Sequence, residues 1–233
     1  VKAQEAFDKL PRRDVVSWNT LIASHVKYGF NLEALDHFKE MRKEGLSPDA
    51  VTFVCSLKAC GNIGAIVKGI ELHNDIEEAG LLNNVCIGVA LVEMYAKYGL
   101  REKAQAVFDQ LPNRDVISWN ALLTGYAQLG NGDIVFSLFD KMIEQGTKPD
   151  TATFSILLNT CCHLGLLDKG QMYFETMSTR CGFMPTQEHH SCMVDLFGRA
   201  GSLSNALTII NDMPIPANGT LWHTLLGACN KWG

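Results

Sequence analysis

Residues 10–19 read Leu10-Pro11-Arg12-Arg13-Asp14-Val15-Val16-Ser17-Trp18-Asn19, and residues 111–120 repeat this pattern as Leu111-Pro112-Asn113-Arg114-Asp115-Val116-Ile117-Ser118-Trp119-Asn120. Phe7-Asp8 also returns 101 residues later, as Phe108-Asp109. A third tryptophan, Trp222, follows Trp119 by 103 residues. Chance does not align so many identities without a gap, so the chain contains an internal repeat.

The 101-residue period divides into shorter repeats. Gly45-Leu46-Ser47-Pro48-Asp49 ends a repeat that begins at Val15, and Gly146-Thr147-Lys148-Pro149-Asp150 ends one that begins at Val116. The resulting repeats, one to six, are 15–49, 50–84, 85–115, 116–150, 151–186 and 187–218, with lengths of 35, 35, 31, 35, 36 and 32 residues. Residues 1–14 are the end of an earlier repeat, and 219–233 are the start of a further one.

Each repeat is predicted to form two helices. In the first repeat, one helical stripe contains Trp18, Leu21, Ile22 and Val26, and a second contains Leu32, Leu35, Phe38 and Met41. Gly29 separates the two stripes, as a glycine after a helix C-terminus does. A single pair of this length cannot bury both stripes, so neighbouring pairs must stack. The sequence therefore predicts an all-α fold, a right-handed α-solenoid with a concave and a convex face.

Composition narrows the function classes. Hydrophobic residues make up 47% of the chain and charged residues 19%, which excludes an intrinsically disordered chain. The apolar runs are far shorter than the roughly 18 residues of a membrane span, so no membrane partner is expected. The net charge of −5 argues mildly against a nucleic-acid binder.

The chain begins at Val1 without a Met, so it is expected to be a fragment whose targeting signal cannot be read.

Several sequence segments resemble those of pentatricopeptide repeat proteins of the plant organellar type. They are D-V-V-S-W-N-T-L-I (14–22), L-V-E-M-Y-A-K-Y-G (91–99), C-M-V-D-L-F-G-R-A-G (192–201) with M-P-I (213–215), and L-W-H-T-L-L-G-A-C (221–229). The repeat lengths match that family's P, L and S motifs. The resemblance makes 15–49 and 116–150 P-type, 50–84 and 151–186 L-type, 85–115 and 187–218 S-type, 1–14 the C-terminal part of an S-type repeat and 219–233 the start of an E-like motif.

The resemblance implies sequence-specific binding of single-stranded RNA, one base per repeat, through the fifth and last residues of each repeat. Two pairs, Asn19 with Asp49 and Asn120 with Asp150, resemble uracil readers, and Ser191 with Asn218 resembles an adenine reader. An Asn amide offers both a donor and an acceptor to a base edge. The other pairs are Val54 with Asn84, Val89 with Asp115 and Ser155 with Thr186; they carry little or no direct information. The implied footprint is U-x-x-U-x-A, from 5′ to 3′.

Further contacts follow from the same resemblance. The second residues of four repeats are expected to stack on bases: Val16, Val51, Ile117 and Ala152. Lys27 and Lys97 end first helices and could meet RNA phosphates, or could equally complement the negative C-terminal end of the helix. The first helices, which line the concave face in this family, carry five basic and three acidic residues. A nearly neutral groove predicts binding that depends on bases more than on phosphates.

Structural roles compete with these assignments. Asp is a preferred N-cap, so Asp49 and Asp150 could serve only to cap the helices that follow. Trp18, Trp119 and Trp222 precede the fifth residue or its equivalent by one position and are expected to pack in the core. His189 and His190 with Cys192 form a His/Cys cluster in the sequence, and packing is the favoured role over metal binding.

No catalytic residue, metal ligand or cofactor site is expected. None of the seven His residues is followed two positions later by Glu, and no C-x-x-C occurs, so the deaminase signature is absent from this segment. The favoured function is the specificity module of a C-to-U RNA editing factor in a mitochondrion or chloroplast, with a deaminase further along the chain or supplied by a partner. Intron splicing, transcript stabilisation and a protein-binding scaffold are the alternatives.

Overall fold

The computed structural model describes residues 2–214 and 219–232. All regular elements in this part of the chain are α-helices, with no strand, which confirms the all-α fold class. The helices are α1 (Lys2–Asp8), α2 (Val15–Lys27), α3 (Asn31–Lys43), α4 (Ala50–Ile63), α5 (Ile66–Glu78), α6 (Val85–Lys97), α7 (Arg101–Gln110), α8 (Val116–Gln128), α9 (Gly132–Glu144), α10 (Thr151–Leu164), α11 (Leu167–Thr179), α12 (Gln187–Arg199), α13 (Leu203–Asn211) and α14 (Gly219–Trp232). The contacts between them define two bodies, an N-terminal body (1–125) and a C-terminal body (126–233).

Local capping determines where the first helices begin. Before α4, the Asp49 carboxylate accepts a hydrogen bond from the Thr52 backbone N–H at 2.9 Å, and the Thr52 hydroxyl oxygen accepts one from the Asp49 N–H at 3.1 Å. Asp14 and Asp150 form the same reciprocal capping box before α2 and α10. At the other end of α4, Gly64 has a φ of 77°, a left-handed conformation that side chains disfavour. The last residue of one repeat is thus the N-cap of the next.

The N-terminal body consists of two layers. The first helices α2, α4 and α6 pack side by side, while α3 packs against α2 and α4, α5 against α4, and α7 against α6. Trp18 is fully buried; its ring meets Phe7 edge-on at 4.5 Å, and its Nε1 donates to Glu44 at 3.1 Å. Trp119 meets Phe108 in the same way at 4.7 Å. The two equivalent tryptophans therefore fill equivalent core positions, as the sequence predicts.

The C-terminal body has a similar arrangement. Helices α10, α12 and α14 pack side by side, α11 packs against α10 and α12, and α13 packs against α12 and α14. The prediction that Trp222 packs in the core is wrong, because its side chain is 43% exposed. Trp18 lies under α3, whereas no helix of the described chain follows α14 to cover Trp222. In both bodies the first helices form one layer, which carries the described residues of the predicted binding pairs.

Candidate nucleic-acid interface

A groove of about 650 Å³ lies along the first-helix layer of the N-terminal body, between α2 and the start of α4. Val16 and Val51 line it, and more than half of each side chain is exposed. Asn19 and Asp49 also line the groove, together with Lys27. The remaining lining residues are Thr20, Ala23, Ser24 and Tyr28. The groove thus combines two exposed apolar side chains with a polar pair, a composition that suits a flat ring with a hydrogen-bonding edge.

The polar pair is held together by direct hydrogen bonds. Asn19 Nδ2 donates to both carboxylate oxygens of Asp49, at 2.9 and 3.0 Å. On the other side of the amide, the hydroxyl group of Thr52 donates to Asn19 Oδ1 at 2.5 Å. Asn19 is nearly buried and Thr52 is completely buried. The orientation of the Asn19 amide is therefore determined from both sides.

These contacts define what the pair offers to a ligand. The two bonds from Nδ2 to the Asp49 carboxylate can share one hydrogen, which leaves the second hydrogen of Nδ2 as a donor for a ligand, while Oδ1 keeps one lone pair beside its bond from Thr52. Burial alone would raise the pKa of Asp49, but hydrogen bonds from the Thr52 backbone N–H and the Asn19 amide outweigh it, so the pKa lies below the ordinary value. Asp49 is consequently an ionised acceptor near neutral pH. The pair presents a donor beside an acceptor.

The next two predicted pairs in this body contain no such linkage. Val54 and Val89 are partly buried and have no hydrogen-bonding group. Asn84 Oδ1 accepts from the Cys86 and Ile87 backbone N–H groups, which makes it the N-cap of α6. Asp115 Oδ1 accepts from the backbone N–H of Ser118 at 2.9 Å. Both last residues thus act as caps here, without a polar fifth residue beside them.

The two residues of the fourth predicted pair lie in different bodies. Asn120 lies in the N-terminal body, on α8, and is partly buried; Ile117, one turn earlier, is 62% exposed. Asp150 lies in the C-terminal body and caps α10 through the Thr153 backbone N–H at 2.8 Å. Ala152, the predicted stacking residue of the fifth repeat, is exposed on the first turn of α10.

In the C-terminal body a histidine connects the fifth predicted pair. Ser155 Oγ lies 3.0 Å from His189 Nε2, and Thr186 Oγ1 lies 3.0 Å from His189 Nδ1. His189 also completes the capping box of α12 as its third helical residue, since its Nδ1 accepts the Thr186 backbone N–H at 3.0 Å. Of the sixth pair, Ser191 is partly buried on α12, and Asn218 lies outside the described residues.

The residues three positions after the last residue, Thr52 and His189, were missed from the sequence. Each is buried, and each contacts the fifth residue of the preceding repeat. The signal for them was the capping-box spacing, in which the side chain at the third helical position returns to the N-cap. Sequence reasoning gave His189 a packing role; it packs, but it also joins Ser155 to Thr186.

Cations lie near the ends of first helices. Lys27 is exposed and lines the groove, whereas Lys97 forms an ion pair with Glu93 at 3.3 Å. Arg199 occupies the same position of the sixth repeat and pairs with Asp195 at 2.9 Å. Its side chain lines a second groove, of about 310 Å³, between α12 and α14. Sequence reasoning did not select Arg199, although its spacing from Gln187 equals that of Lys27 from Val15.

Within residues 2–214 and 219–232, no three His, Cys, Asp or Glu side chains are grouped in a way that could hold a metal ion. His190 Nδ1 lies 2.8 Å from the Thr186 carbonyl, and the Cys192 thiol contacts Asn159 Oδ1 at 3.0 Å. Burial raises the pKa of Cys192 to about 12, so its thiol stays protonated. No helix in this described part is both long enough and apolar enough to cross a membrane.

Comparison with known proteins identifies the family. Residues 13–62 and 114–163 match the PPR repeat family, and residues 152–181 and 188–214 match the PPR repeat. Together these matches cover more than half of the chain. The chain is 39% identical over 226 residues to the pentatricopeptide repeat-containing protein At5g40410, mitochondrial, of Arabidopsis thaliana, covering 97% of this chain and 37% of that protein. It is also 39% identical over 232 residues to At4g33990 of the same plant, covering 99% of this chain and 28% of that protein.

Solved structures show the same fold. The crystal structure of the pentatricopeptide repeat protein PPR10 from maize superposes with a TM-score of 0.72 at 22% identity, covering 97% of this chain and 34% of that one. PPR10 in complex with an 18-nt psaJ RNA element superposes with a TM-score of 0.63 at 20% identity, covering 95% and 38%. The chain spans about a third of the length of these relatives.

Proposed function

Because the chain belongs to the PPR repeat family, we propose that it binds single-stranded RNA and recognises individual bases with successive repeats. The observation that carries this proposal is the Asn19–Asp49 pair at the groove between Val16 and Val51. A base inserted there would contact apolar side chains on both faces and a donor–acceptor pair at its edge. The complex of PPR10 with an RNA element supports the choice of RNA as the ligand.

The proposed footprint is U-x-x-U-x-A, with uracil opposite the first and fourth repeats and adenine opposite the sixth. At the first repeat, the ionised Asp49 can accept the N3–H of uracil, while the remaining hydrogen of Asn19 can donate to a carbonyl oxygen of the same base. Val54 and Val89 leave the second and third bases without a side-chain hydrogen bond from the fifth residue. Stacking between aliphatic side chains should contribute less than the roughly 1–3 kcal/mol of an aromatic–base stack.

A scaffold that binds proteins is the competing class, and the Asn19–Asp49 pair argues against it. A protein-binding surface has no need to hold Asn19 in one orientation between Asp49 and Thr52. It also has no need to line the same groove with two largely exposed valines. Both features suit a ligand that is flat and has a polar edge.

We further propose that this RNA-binding segment provides the specificity of an organellar C-to-U editing factor and catalyses no reaction itself. The support is the alternation of repeat lengths and the closing L-W-H-T-L-L-G-A-C phrase at 221–229. The deaminase would then be carried elsewhere in the full-length protein or by a partner. The mitochondrial name of one relative supports an organelle as the location; a mitochondrion and a chloroplast are both consistent with the resemblance. An intron-splicing or transcript-stabilising factor would use the same RNA-binding surface.

The test is a swap of base preference at the first nucleotide of the footprint. The double substitution Asn19→Ser with Asp49→Asn should move the preference from U towards A, measured by equilibrium binding to four RNAs that differ only at that nucleotide. A wrong base costs about 1–3 kcal/mol in specific complexes, so the ratio of affinities should change by roughly 5-fold or more. The swap Asn120→Ser with Asp150→Asn is the matched control, because it should act only at the fourth nucleotide. Unchanged selectivity in both variants would exclude the proposed base recognition.

A further inference from the structure

His189 occupies the same place after the fifth repeat that Thr52 occupies after the first. Each lies three residues after the last residue of the repeat, is completely buried, and contacts the fifth residue. In the first repeat this third side chain orients the Asn19 amide. In the fifth repeat, His189 Nε2 lies 3.0 Å from Ser155 Oγ.

The hydrogen bonds of His189 determine which ring nitrogen carries the proton. The Thr186 backbone N–H can only donate, and it points at Nδ1 from 3.0 Å, so Nδ1 is the acceptor. A neutral ring then carries its hydrogen on Nε2. Nε2 lies 3.1 Å from the Thr151 carbonyl oxygen, which can only accept, in agreement with this assignment.

This tautomer gives each neighbouring hydroxyl group a direction. Ser155 Oγ lies 3.0 Å from Nε2 and shares the single Nε2 hydrogen with the Thr151 carbonyl; because Nε2–H has no lone pair, Ser155 can only accept from it and keeps its own hydrogen to donate elsewhere. Thr186 Oγ1 lies 3.0 Å from the Nδ1 acceptor and therefore donates to it; its oxygen accepts the His189 backbone N–H in the capping box and keeps one further lone pair to accept from a ligand. The fifth residue becomes a donor and the last residue an acceptor. In the first repeat the fifth residue, Asn19, likewise offers a donor, and the last residue, Asp49, likewise offers an acceptor.

We propose that His189 is a positioning residue that makes the repeat 151–186 a selective reader of its base. The inference rests on the proposed RNA-binding function and changes the fifth position of the footprint from uninformative to informative. The ligand is a base that places an acceptor towards Ser155 and a donor towards Thr186. The four bases carry such acceptor–donor pairs at different places on their edges. Ser155 and Thr186, with the donor and the acceptor each fixed, therefore discriminate between the bases.

The experiment uses the 233-residue chain and four short single-stranded RNAs that carry the proposed footprint and differ only at its fifth nucleotide. We expect the wild-type chain to favour one base over the weakest by about 5-fold or more, the ratio that about 1 kcal/mol produces. His189→Leu and Ser155→Ala should each reduce this ratio to nearly one, and the double variant should reduce it no further. His189→Gln should retain most of the selectivity, since a Gln at this position can cap with its oxygen and donate with its nitrogen.

Selectivity for U at the first nucleotide is the internal control, because Asn19 and Asp49 lie in the other body. It should be unchanged in every variant, whereas a variant that merely unfolds would lose it together with all binding. If His189→Leu fails to fold, Ser155→Ala carries the test alone. Two results would overturn the role of His189 and leave the proposed function intact. One is that Ser155→Ala retains selectivity at the fifth nucleotide. The other is that the wild-type chain selects U at the first nucleotide but shows no selectivity at the fifth. A wild-type chain that binds none of the RNAs would overturn both.

Discussion

Replacing Asp49 by Ala should destabilise the fold more than replacing another last residue that serves only as a cap. Loss of an N-cap costs about 1 kcal/mol. Asp49 has a second role, because it accepts from the nearly buried Asn19 amide at 2.9 and 3.0 Å. An unsatisfied buried amide costs about 1–3 kcal/mol, and we expect the lower end because the groove admits water to Asn19. The predicted total is about 2 kcal/mol.

Asp115→Ala is the matched control. Asp115 caps α8 through the Ser118 backbone N–H at 2.9 Å, but the fifth residue of its repeat is Val89, which has no group to donate. This substitution should cost about 1 kcal/mol, the value of the cap alone. Asp49→Asn should cost little, since Asn is as good an N-cap as Asp and keeps an acceptor for Asn19.

Urea unfolding followed by far-UV circular dichroism measures these differences, and a double-mutant cycle isolates the pair. In an Asn19→Ala background no amide remains to be left unsatisfied, so Asp49→Ala should cost only the cap, about 1 kcal/mol. The reasoning is refuted if Asp49→Ala and Asp115→Ala cost the same, or if the cost of Asp49→Ala does not change in the Asn19→Ala background.

Three further predictions concern phosphate contacts, close packing and pH. Lys27→Ala should reduce the slope of log affinity against log salt concentration for RNA binding by about one. Lys97→Ala should reduce this slope less, because Glu93 already neutralises the Lys97 side chain. Affinities measured over a salt series compare the two variants. Gly125→Ala should lower the thermal stability of the N-terminal body, because the added Cβ would collide with the Ala96 side chain of α6 and would lie 3.2 Å from the Ala96 backbone. Gly61→Ala should be neutral or stabilising, because the nearest neighbour of its added Cβ would be 3.6 Å away. Burial lowers the pKa of His189 below its ordinary 6.5, so the folded chain binds this proton more weakly than the unfolded chain. The free energy of unfolding of the chain should therefore fall as the pH drops through 6.5, and it should fall less in the His189→Gln variant.

Much of the fold was predictable because its signals are local. An Asp before an apolar stripe and a Gly after it define helix ends within a few residues, and repetition at 101 residues supports each assignment twice. Trp222 shows the limit of that reasoning. It has the sequence context of Trp18 and Trp119, but burial also depends on a second helix, and none lies over it in the described chain.

The candidate site was predictable at the level of positions but not of contacts. The repeat spacing suggested Asn19 with Asp49, yet the two residues are 30 positions apart, and only the packing of α2 beside α4 shows that they bond. Thr52 and His189 escaped notice because a capping side chain has an adequate local explanation. Their second contact, to the fifth residue of the preceding repeat, arises only when first helices pack side by side.

The position that is expected to read the base is also the N-cap of the next first helix, and this restricts which residues can stand there. Every described last residue belongs to a type that caps helices well, namely Asp14, Asp49, Asn84, Asp115, Asp150 and Thr186. A capping side chain is already fixed by the backbone of the following helix, so little further conformational entropy is lost when a base binds beside it. The same fixation keeps exchanges among Asp, Asn and Thr inexpensive for the fold while they alter the donors and acceptors offered to the ligand. Stability and base preference can therefore change independently at this position, provided that the new residue still caps.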